Sequence, residues 1–236
     1  GNGAMRVLNW ASYAVAAFFR GLAARRPSVV YASSPHLLAG LAGLGLARVR
    51  RARFVLEVRD LWPEVLSAMG TLQENSLLYR LLSRLALMLY RAADRIVVLA
   101  DGSREAIEAL GIPSAKIAVI PNGAEHSDFC LSLPRAELRR EFGFQGITFV
   151  YAGAQGPANG LDLLLDAASR LRTSHPDLSF VLVGDGPSGA NLRQRAHAMG
   201  LSNVRFMNPV PKSEIPALLG AADVGVHVLA DVPLFR

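Results

Sequence analysis

Residues 54–64 read Phe-Val-Leu-Glu-Val-Arg-Asp-Leu-Trp-Pro-Glu. The run Phe54–Val58, apolar except for Glu57 and with β-branched Val55 and Val58, has the length and composition of a buried strand, and Pro63, with no N–H to give to a ladder, prevents its continuation as a central one. In an open parallel sheet, ligands are met beyond the carboxyl ends of the strands. Arg59 and Asp60 stand just past this end and are candidate catalytic residues. An ion pair at a strand end is the simpler alternative for the same two residues.

Working outward, strand-like and helix-like runs alternate along the whole chain. Strands are expected at 28–32, 54–58, 95–99, 117–120, 148–152, 179–183, 204–207 and 223–228, with helices clearest at 76–92, 161–172, 190–199 and 213–221. Such alternation predicts α/β architecture, with parallel sheets covered by helices on both faces. Eight strands in 236 residues suit two Rossmann-like units, residues 1–125 and 126–236. The divide falls between Glu125 and Gln145, after the turn Pro121-Asn122-Gly123. Both ends look cut: the chain opens inside a helix with no strand before it and closes soon after a strand with no covering helix, so both units are expected to be incomplete.

Composition excludes several classes. With 51% hydrophobic and 19% charged residues the chain is a folded globular protein. A single cysteine, Cys130, rules out an internal disulfide and a cysteine-based zinc site and fits a cytoplasmic setting. Residues 1–125 hold 15 Lys and Arg against 9 Asp and Glu, and residues 126–236 hold 10 against 10, so the formal charge of +6 belongs to the first half. Arg48, Arg50, Arg51 and Arg53 cluster, and Arg80, Arg84 and Arg91 share a narrow arc of one predicted helix. An anionic membrane surface or a polyphosphate would suit them, as would a plain solvated face. Nucleic acid is disfavoured, because no reading motif or aromatic platform accompanies the charge. No run reaches the roughly 20 apolar residues of a membrane span. Residues 8–19 read most simply as a helix packed in the core, or else as an amphipathic helix on a membrane surface.

Two small-residue turns follow neighbouring strands. Val183-Gly184-Asp185-Gly186-Pro187 passes from strand to helix; its glycines permit positive φ and close backbone approach, and Pro187 suits a first helical turn. Gly153-Ala154-Gln155-Gly156-Pro157-Ala158-Asn159-Gly160 does the same after the preceding strand. Together they make a better phosphate and nucleotide cradle than either alone. The Gly-x-Gly-x-x-Gly fingerprint on a first strand is absent, which counts against an NAD or FAD enzyme. Ser33-Ser34-Pro35-His36 predicts a helix start with Ser34 as cap, placing His36 near the sheet's carboxyl edge, where most histidines are surface residues. His126, His175, His197 and His227 have no metal-ligand spacing.

These segments, in this order, together with Ile120-Pro121-Asn122-Gly123 and Ala221-Ala222-Asp223-Val224, resemble the group 1, or family 4, retaining glycosyltransferases. Asp60-Leu61-Trp62-Pro63-Glu64 is most similar to bacterial members that build cell-surface polysaccharides, of the colanic acid and N-acetyl-fucosamine transferase types in O-antigen and capsule synthesis. The resemblance implies a GT-B architecture, two Rossmann-like domains facing a cleft. It implies a UDP-sugar donor held by the second domain, a lipid-linked saccharide acceptor at the first, no metal or other cofactor, and work at the inner face of the cell membrane. It places Gly153 and Asn159 near the donor diphosphate, Gly184, Asp185, Gly186 and Pro187 near the nucleoside, and Ser34 and His36 on the acceptor side. Asp60 matches the aspartate of a His-Asp pair, with Arg59 where the histidine usually stands; Asn159 stands where many members have lysine. The family's two glutamates, eight positions apart, would follow shortly after residue 236, so this chain is expected not to turn over alone. A non-catalytic nucleotide-sugar or lipid-binding subunit and a nucleotide-sugar epimerase are the competing readings.

Overall fold

The computed structural model describes residues 3–129 and 133–232. Cys130 with the adjoining part of the expected divide, and the closing residues 233–236, lie outside the described residues. The chain forms two compact units, Gly1–Gly123 and Ala124–Arg236.

The first unit runs α1 (Gly3–Ala23), β1 (Val29–Ser34), α2 (Leu37–Arg50), β2 (Arg53–Val58), α3 (Glu64–Ala68), α4 (Leu77–Ala92), β3 (Arg95–Val98), α5 (Asp101–Ala109) and β4 (Ile117–Val119). The four strands are parallel and lie in the order β1-β2-β3-β4. Each crossover steps to the next strand in the same direction, so right-handed connections put α2, α4 and α5 on one face. The even-numbered residues of the strands meet them there: Val30, Phe54, Leu56, Val58, Ile96 and Val98 pack with Leu37, Leu44, Leu89 and Ile107. Helices on both faces were expected; here the opposite face leaves Val29 and Tyr31 about half exposed (46% and 55%). The sequential strand order is the reason. Gly43 lets α2 press on this sheet and Gly40 lets it press on α4: a Cβ at Gly40 would lie 2.9 Å from Leu89 Cδ1, and one at Gly43 2.5 Å from Ala32 Cβ.

The reading of residues 8–19 as a core helix is overturned. They lie in α1, which has no buried residue and rests against α2. Arg50 donates to the carbonyls of Leu22 (3.3 Å) and Ala24 (2.7 Å), and Arg26 Nε donates to that of Arg50 (3.1 Å). The end of α1 is therefore tied by two arginines to the end of α2. Among the described residues no helix is long and apolar enough to cross a membrane.

The second unit runs α6 (Arg135–Phe142), β5 (Ile147–Ala152), α7 (Asp162–Leu171), β6 (Leu178–Val183), α8 (Gly189–Ala198), β7 (Val204–Met207), α9 (Ile215–Ala221) and β8 (Val224–Gly225). Its parallel strands lie in the order β7-β6-β5-β8. The chain steps one way through β6 and β7 and then returns to the far side of β5, so helices cover both faces. Tyr151, Leu165, Phe180 and Leu182 form one core, and Val150, Val181, Val183 and Leu218 the other. β8 is shorter than residues 223–228. Val226 N–H still reaches the Val150 carbonyl (2.8 Å), after which the chain departs toward the exit of β5, where Ala230 N–H donates to Ala158 (2.8 Å).

Asp223, between α9 and β8, fastens this unit. Its carboxylate accepts from Thr148 N–H of β5 (2.8 Å), from Arg139 of α6 (2.7 Å) and from Arg135. The Thr148 N–H, then the Arg135 and Arg139 guanidiniums, hold the carboxyl well below the usual carboxylate range. A folded-state pKa below the unfolded one means stabilisation that is complete above the unfolded value of about 3.9 and is lost as the pH falls below it. Asp223→Ala is expected to destabilise the second unit by about 2 kcal/mol at pH 7. The gap to the parent should narrow on acidification to about pH 3 and go on shrinking below it, as checked by urea unfolding at both pH values.

Candidate functional site

The exits of β5 and β6 come together at the carboxyl edge of the second sheet, beside the point where the strand order reverses. Such switch points are where open α/β sheets leave a crevice for ligands. Gly184 (φ +132°) and Gly186 (φ +153°) occupy conformations that L side chains rarely adopt. Space is also closed to them. A Cβ on Gly184 would fall on the Gly153 carbonyl oxygen, and one on Gly186 would stand 2.6 Å from the Gln155 carbonyl oxygen.

The two turns therefore lie backbone against backbone. Gly153 N–H donates to the Val183 carbonyl (3.0 Å), Gln155 N–H to that of Asp185 (2.7 Å), and Ser188 N–H to that of Gln155 (2.9 Å). Gln155 is fully buried and adds a side-chain bond, Nε2 to the Gly184 carbonyl (3.0 Å). Its Oε1 has no partner among the described residues, and a Cβ at Gly189, the first residue of α8, would stand 2.7 Å from that oxygen. Beneath the first turn the buried Tyr151 hydroxyl donates to the Ala154 carbonyl (2.7 Å). On the far side, a Cβ at Gly160 (φ +56°) would meet the main chain at Leu229 and Ala230, both at 2.9 Å. The β5 exit is thus clamped from both flanks.

A hollow of about 290 Å³ opens here, with Gly153, Ala154 and Gly184 on one side and Pro209, Val210 and Ile215 on the other. One wall is main chain and the other apolar. That combination suits a flat ring lying against carbon, with anionic groups toward main-chain amides and the start of α8, which has no side-chain cap.

Of the residues expected to bind donor, Gly153, Gly184, Asp185 and Gly186 are brought together at this hollow or its rim. Asn159 is half-buried, and its Oδ1 is engaged by Gly156 N–H (3.3 Å), so the side chain holds the shape of its own loop. Pro187 is not in the first helical turn: it sits in an exposed turn, and α8 starts two residues later.

The first unit gathers its candidates at the carboxyl ends of β1 and β2. Arg59 and Asp60 are exposed directly past β2. Burial of its surroundings raises the Asp60 carboxyl, and the Arg59 charge draws it back. The contact of Arg59 is with Glu57 Oε1 at 3.9 Å, at the limit of an ion pair. Ser34 is not a helix cap. It ends β1, in register with Val58, and is buried there, because the strand runs two residues beyond its expected end. The cap of α2 is His36, whose Nδ1 accepts from Ala39 N–H (3.2 Å). His36 is buried, not a surface residue. It stacks on Trp10 at 5.1 Å between ring centroids, with Tyr13 edge-on at 6.1 Å, and Trp62 meets Trp10 edge-on at 5.6 Å. Burial lowers the His36 pKa and favours the neutral ring.

Comparison with known proteins fits these sites. Residues 3–123 match the glycosyl transferase 4-like domain, and residues 134–229 match the glycosyl transferases group 1. The chain belongs to the group 1 glycosyltransferases. Among curated relatives of this glycosyltransferase chain, the Escherichia coli protein named "Putative colanic acid biosynthesis glycosyl transferase WcaI" is 26% identical over 228 residues, 92% of this chain and 55% of its own length. The Pseudomonas aeruginosa "Probable glycosyltransferase WbjE" is 26% identical over 189 residues, 76% and 45%. The Anabaena protein Alr3699/HepE, solved in complex with UDP-glucose, superposes with a TM-score of 0.70 at 22% identity, covering 93% of this chain and 56% of that one. The chain spans about half the length of these relatives. Its folds are of the expected α/β, GT-B class.

Gln155, Tyr151, Gly189 and Trp10 are the site residues to which sequence reasoning gave no role, and Trp62 was read only as part of the 60–64 signature. The available signal was Gln155 itself, a polar side chain within a run of Gly and Ala. Gln155→Leu is expected to lower unfolding free energy by about 1–3 kcal/mol, since the Gly184 carbonyl loses a buried donor. Faster amide exchange confined to 153–156 and 184–188 would localise the effect.

Proposed function

We propose that the whole protein is a retaining glycosyltransferase that moves a sugar from a UDP-sugar to a lipid-linked saccharide at the inner face of the cell membrane, in the synthesis of a cell-surface polysaccharide. The observation that carries the reading is the pair of glycine turns, Gly153–Gln155 and Gly184–Gly186, packed main chain against main chain beside an apolar wall. A pyrimidine ring can lie against Pro209, Val210 and Ile215 with its diphosphate toward the turn amides and the start of α8. As the glycosidic bond of the donor breaks, negative charge grows on the departing diphosphate, and fixed main-chain dipoles stabilise it without reorganisation. In this reading that electrostatic work falls to amides and the helix start, with no metal required. The name of WcaI and the UDP-glucose bound to Alr3699/HepE support the polysaccharide setting and the choice of donor.

On the acceptor side, Arg59 and Asp60 are the groups free to touch a substrate. Arg59 offers a cation to an anionic acceptor, and Asp60 a polar contact near the transferred sugar. Ser34 and His36, both buried, shape this edge from beneath.

Calorimetric titration of the 236-residue chain should show UDP binding that EDTA leaves unchanged, and no binding of NAD. Gly186→Val drives a branched side chain into the Gln155 main chain and should weaken UDP by more than about tenfold, some 1.4 kcal/mol. Undiminished UDP affinity in that variant would end the assignment of the site. For the whole protein, transfer from a UDP-sugar panel to a lipid-linked disaccharide should give a product with the donor's anomeric configuration by NMR.

A further inference from the structure

The two halves of α1 are held to the first unit in different ways. In the second half, Phe18 lies against Gly45 and Leu46 against Gly21, and the Arg50 bonds close the end of the helix. In the first half, from Gly3 to Tyr13, only Trp10 and Ala11 are not exposed. The Trp10 ring stacks on His36, 21° from parallel, and meets Trp62 edge-on. Trp62 is buried and stands two residues past Asp60. Three elements therefore join at this stack: α1, the start of α2, and the turn that carries Arg59 and Asp60.

The state of the His36 ring decides whether the join closes. Nδ1 accepts from Ala39 N–H (3.2 Å), so the neutral ring carries its hydrogen on Nε2. A second proton has only Nδ1 to go to. There it would face the Ala39 N–H, remove the cap of α2 and set a charge among aromatic rings. The groups that face the ring are Trp10 and Tyr13 from α1 and the Ala39 amide from α2, with Trp62 beyond Trp10. None of them is a carboxylate that would hold a cation. An indole face attracts an imidazolium and offsets part of this cost, but it neither restores the cap nor supplies a counter-charge. Burial accordingly lowers the His36 pKa.

We propose that His36 is a pH-sensitive latch for α1: the neutral ring docks Trp10, and protonation releases the first half of the helix, and with it the aromatic support of the turn that carries Arg59 and Asp60. The inference is independent of the proposed function, since it concerns this edge whatever substrate the edge receives. A folded-state pKa below the unfolded one means that docking is complete above the ordinary histidine value, about 6.5, and is lost as the pH falls below it. Between the pKa values of the open and the closed form, opening rises by up to about tenfold per pH unit. Once undocked, so short a segment does not keep its helix in water.

The test is hydrogen exchange of the 236-residue chain at about pH 7.5 and about pH 5.5, corrected for the intrinsic pH dependence of amide exchange. At the lower pH, protection over residues 7–13 should fall by about tenfold or more, while β1, β2 and the second unit keep theirs. Trp10 and Trp62 are the chain's two tryptophans, so their near-ultraviolet circular dichroism should weaken in the same pH range. His36→Asn keeps an acceptor for the cap but does not titrate, and its exchange over 7–13 should be equal at both pH values. Trp10→Ala should leave that segment unprotected at both, with the strands as protected as in the parent. Equal protection of 7–13 at both pH values in the parent would overturn the latch. So would a pH-dependent loss that survives in His36→Asn, or a loss shared by every strand of the first unit. The assay contains neither nucleotide nor acceptor, so its outcome and that of the UDP titration are read separately.

Discussion

Two main-chain carbonyls, those of Gly153 and Gln155, occupy the space that side chains at 184 and 186 would need. The candidate site of the second unit depends on that close approach. It brings the β6 exit down onto the β5 exit, aligns the bonds from Gln155 N–H and Ser188 N–H, and leaves main chain bare at Gly153, Gly184 and Gly186. A polyanion can approach amides only where no Cβ intervenes, so the same absence of side chains that permits the packing also makes the cradle. Gln155 is the spacer that sets the distance between the turns. Its amide nitrogen is committed to Gly184, and its oxygen is buried without a partner among the described residues, a local cost carried by the surrounding core.

Behind the turns, the two units share a fastening and differ in topology. Ala92-Ala93-Asp94 precedes β3 and Ala221-Ala222-Asp223 precedes β8. In both, the aspartate turns its carboxylate onto the first amides of the neighbouring strand. Asp94 Oδ2 accepts from Phe54 N–H at 2.7 Å, as Asp223 does from Thr148, and each aspartate's own N–H returns a bond to the same residue's carbonyl. The device fixes the register of a strand before its ladder begins. Register is then equally secure in both units, whereas coverage is not. The reversal after β7 gives the second sheet two clad faces and a switch point. The monotonic order of the first gives one clad face, and its candidate residues stand at the ends of adjacent strands, away from any reversal.

What the sequence made legible follows from range. Strands such as Phe54–Val58 and Leu178–Val183 announce themselves by composition, and the positive φ of Gly184 and Gly186 by residue type. The α/β class came from the order of such local signals, and the GT-B type from the resemblance to the group 1 glycosyltransferases. Ser34 was misassigned because a Ser-Pro pair looks the same whether or not the preceding strand extends; only pairing with Val58, 24 residues on, decides that. The helix start moved to His36, and with it a surface histidine became a buried one stacked on Trp10. β8 fell short of its apolar run because residues beyond Val226 are used against the β5 exit. Helices on both faces failed for the first unit because alternation fixes the elements but not the order of strands.

Charge shows the same limit from the other side. The excess of arginine in the first half reads as one property of composition, yet the structure divides it into kinds. Arg50 and Arg26 spend their donors on carbonyls at the join of α1 and α2, and would be needed there whatever partner the protein met. Arg104 is paired along its own helix with Asp101 and Glu108. Arg80, Arg84, Arg91 and Arg48 hold none of these commitments. Since an unpaired surface guanidinium contributes little to folding, their grouping beside exposed leucine and methionine is not explained by stability. Along α4, Ala86, Leu89 and Tyr90 close the core over β2, whereas Arg80, Arg84 and Arg91 are exposed and take no part in it.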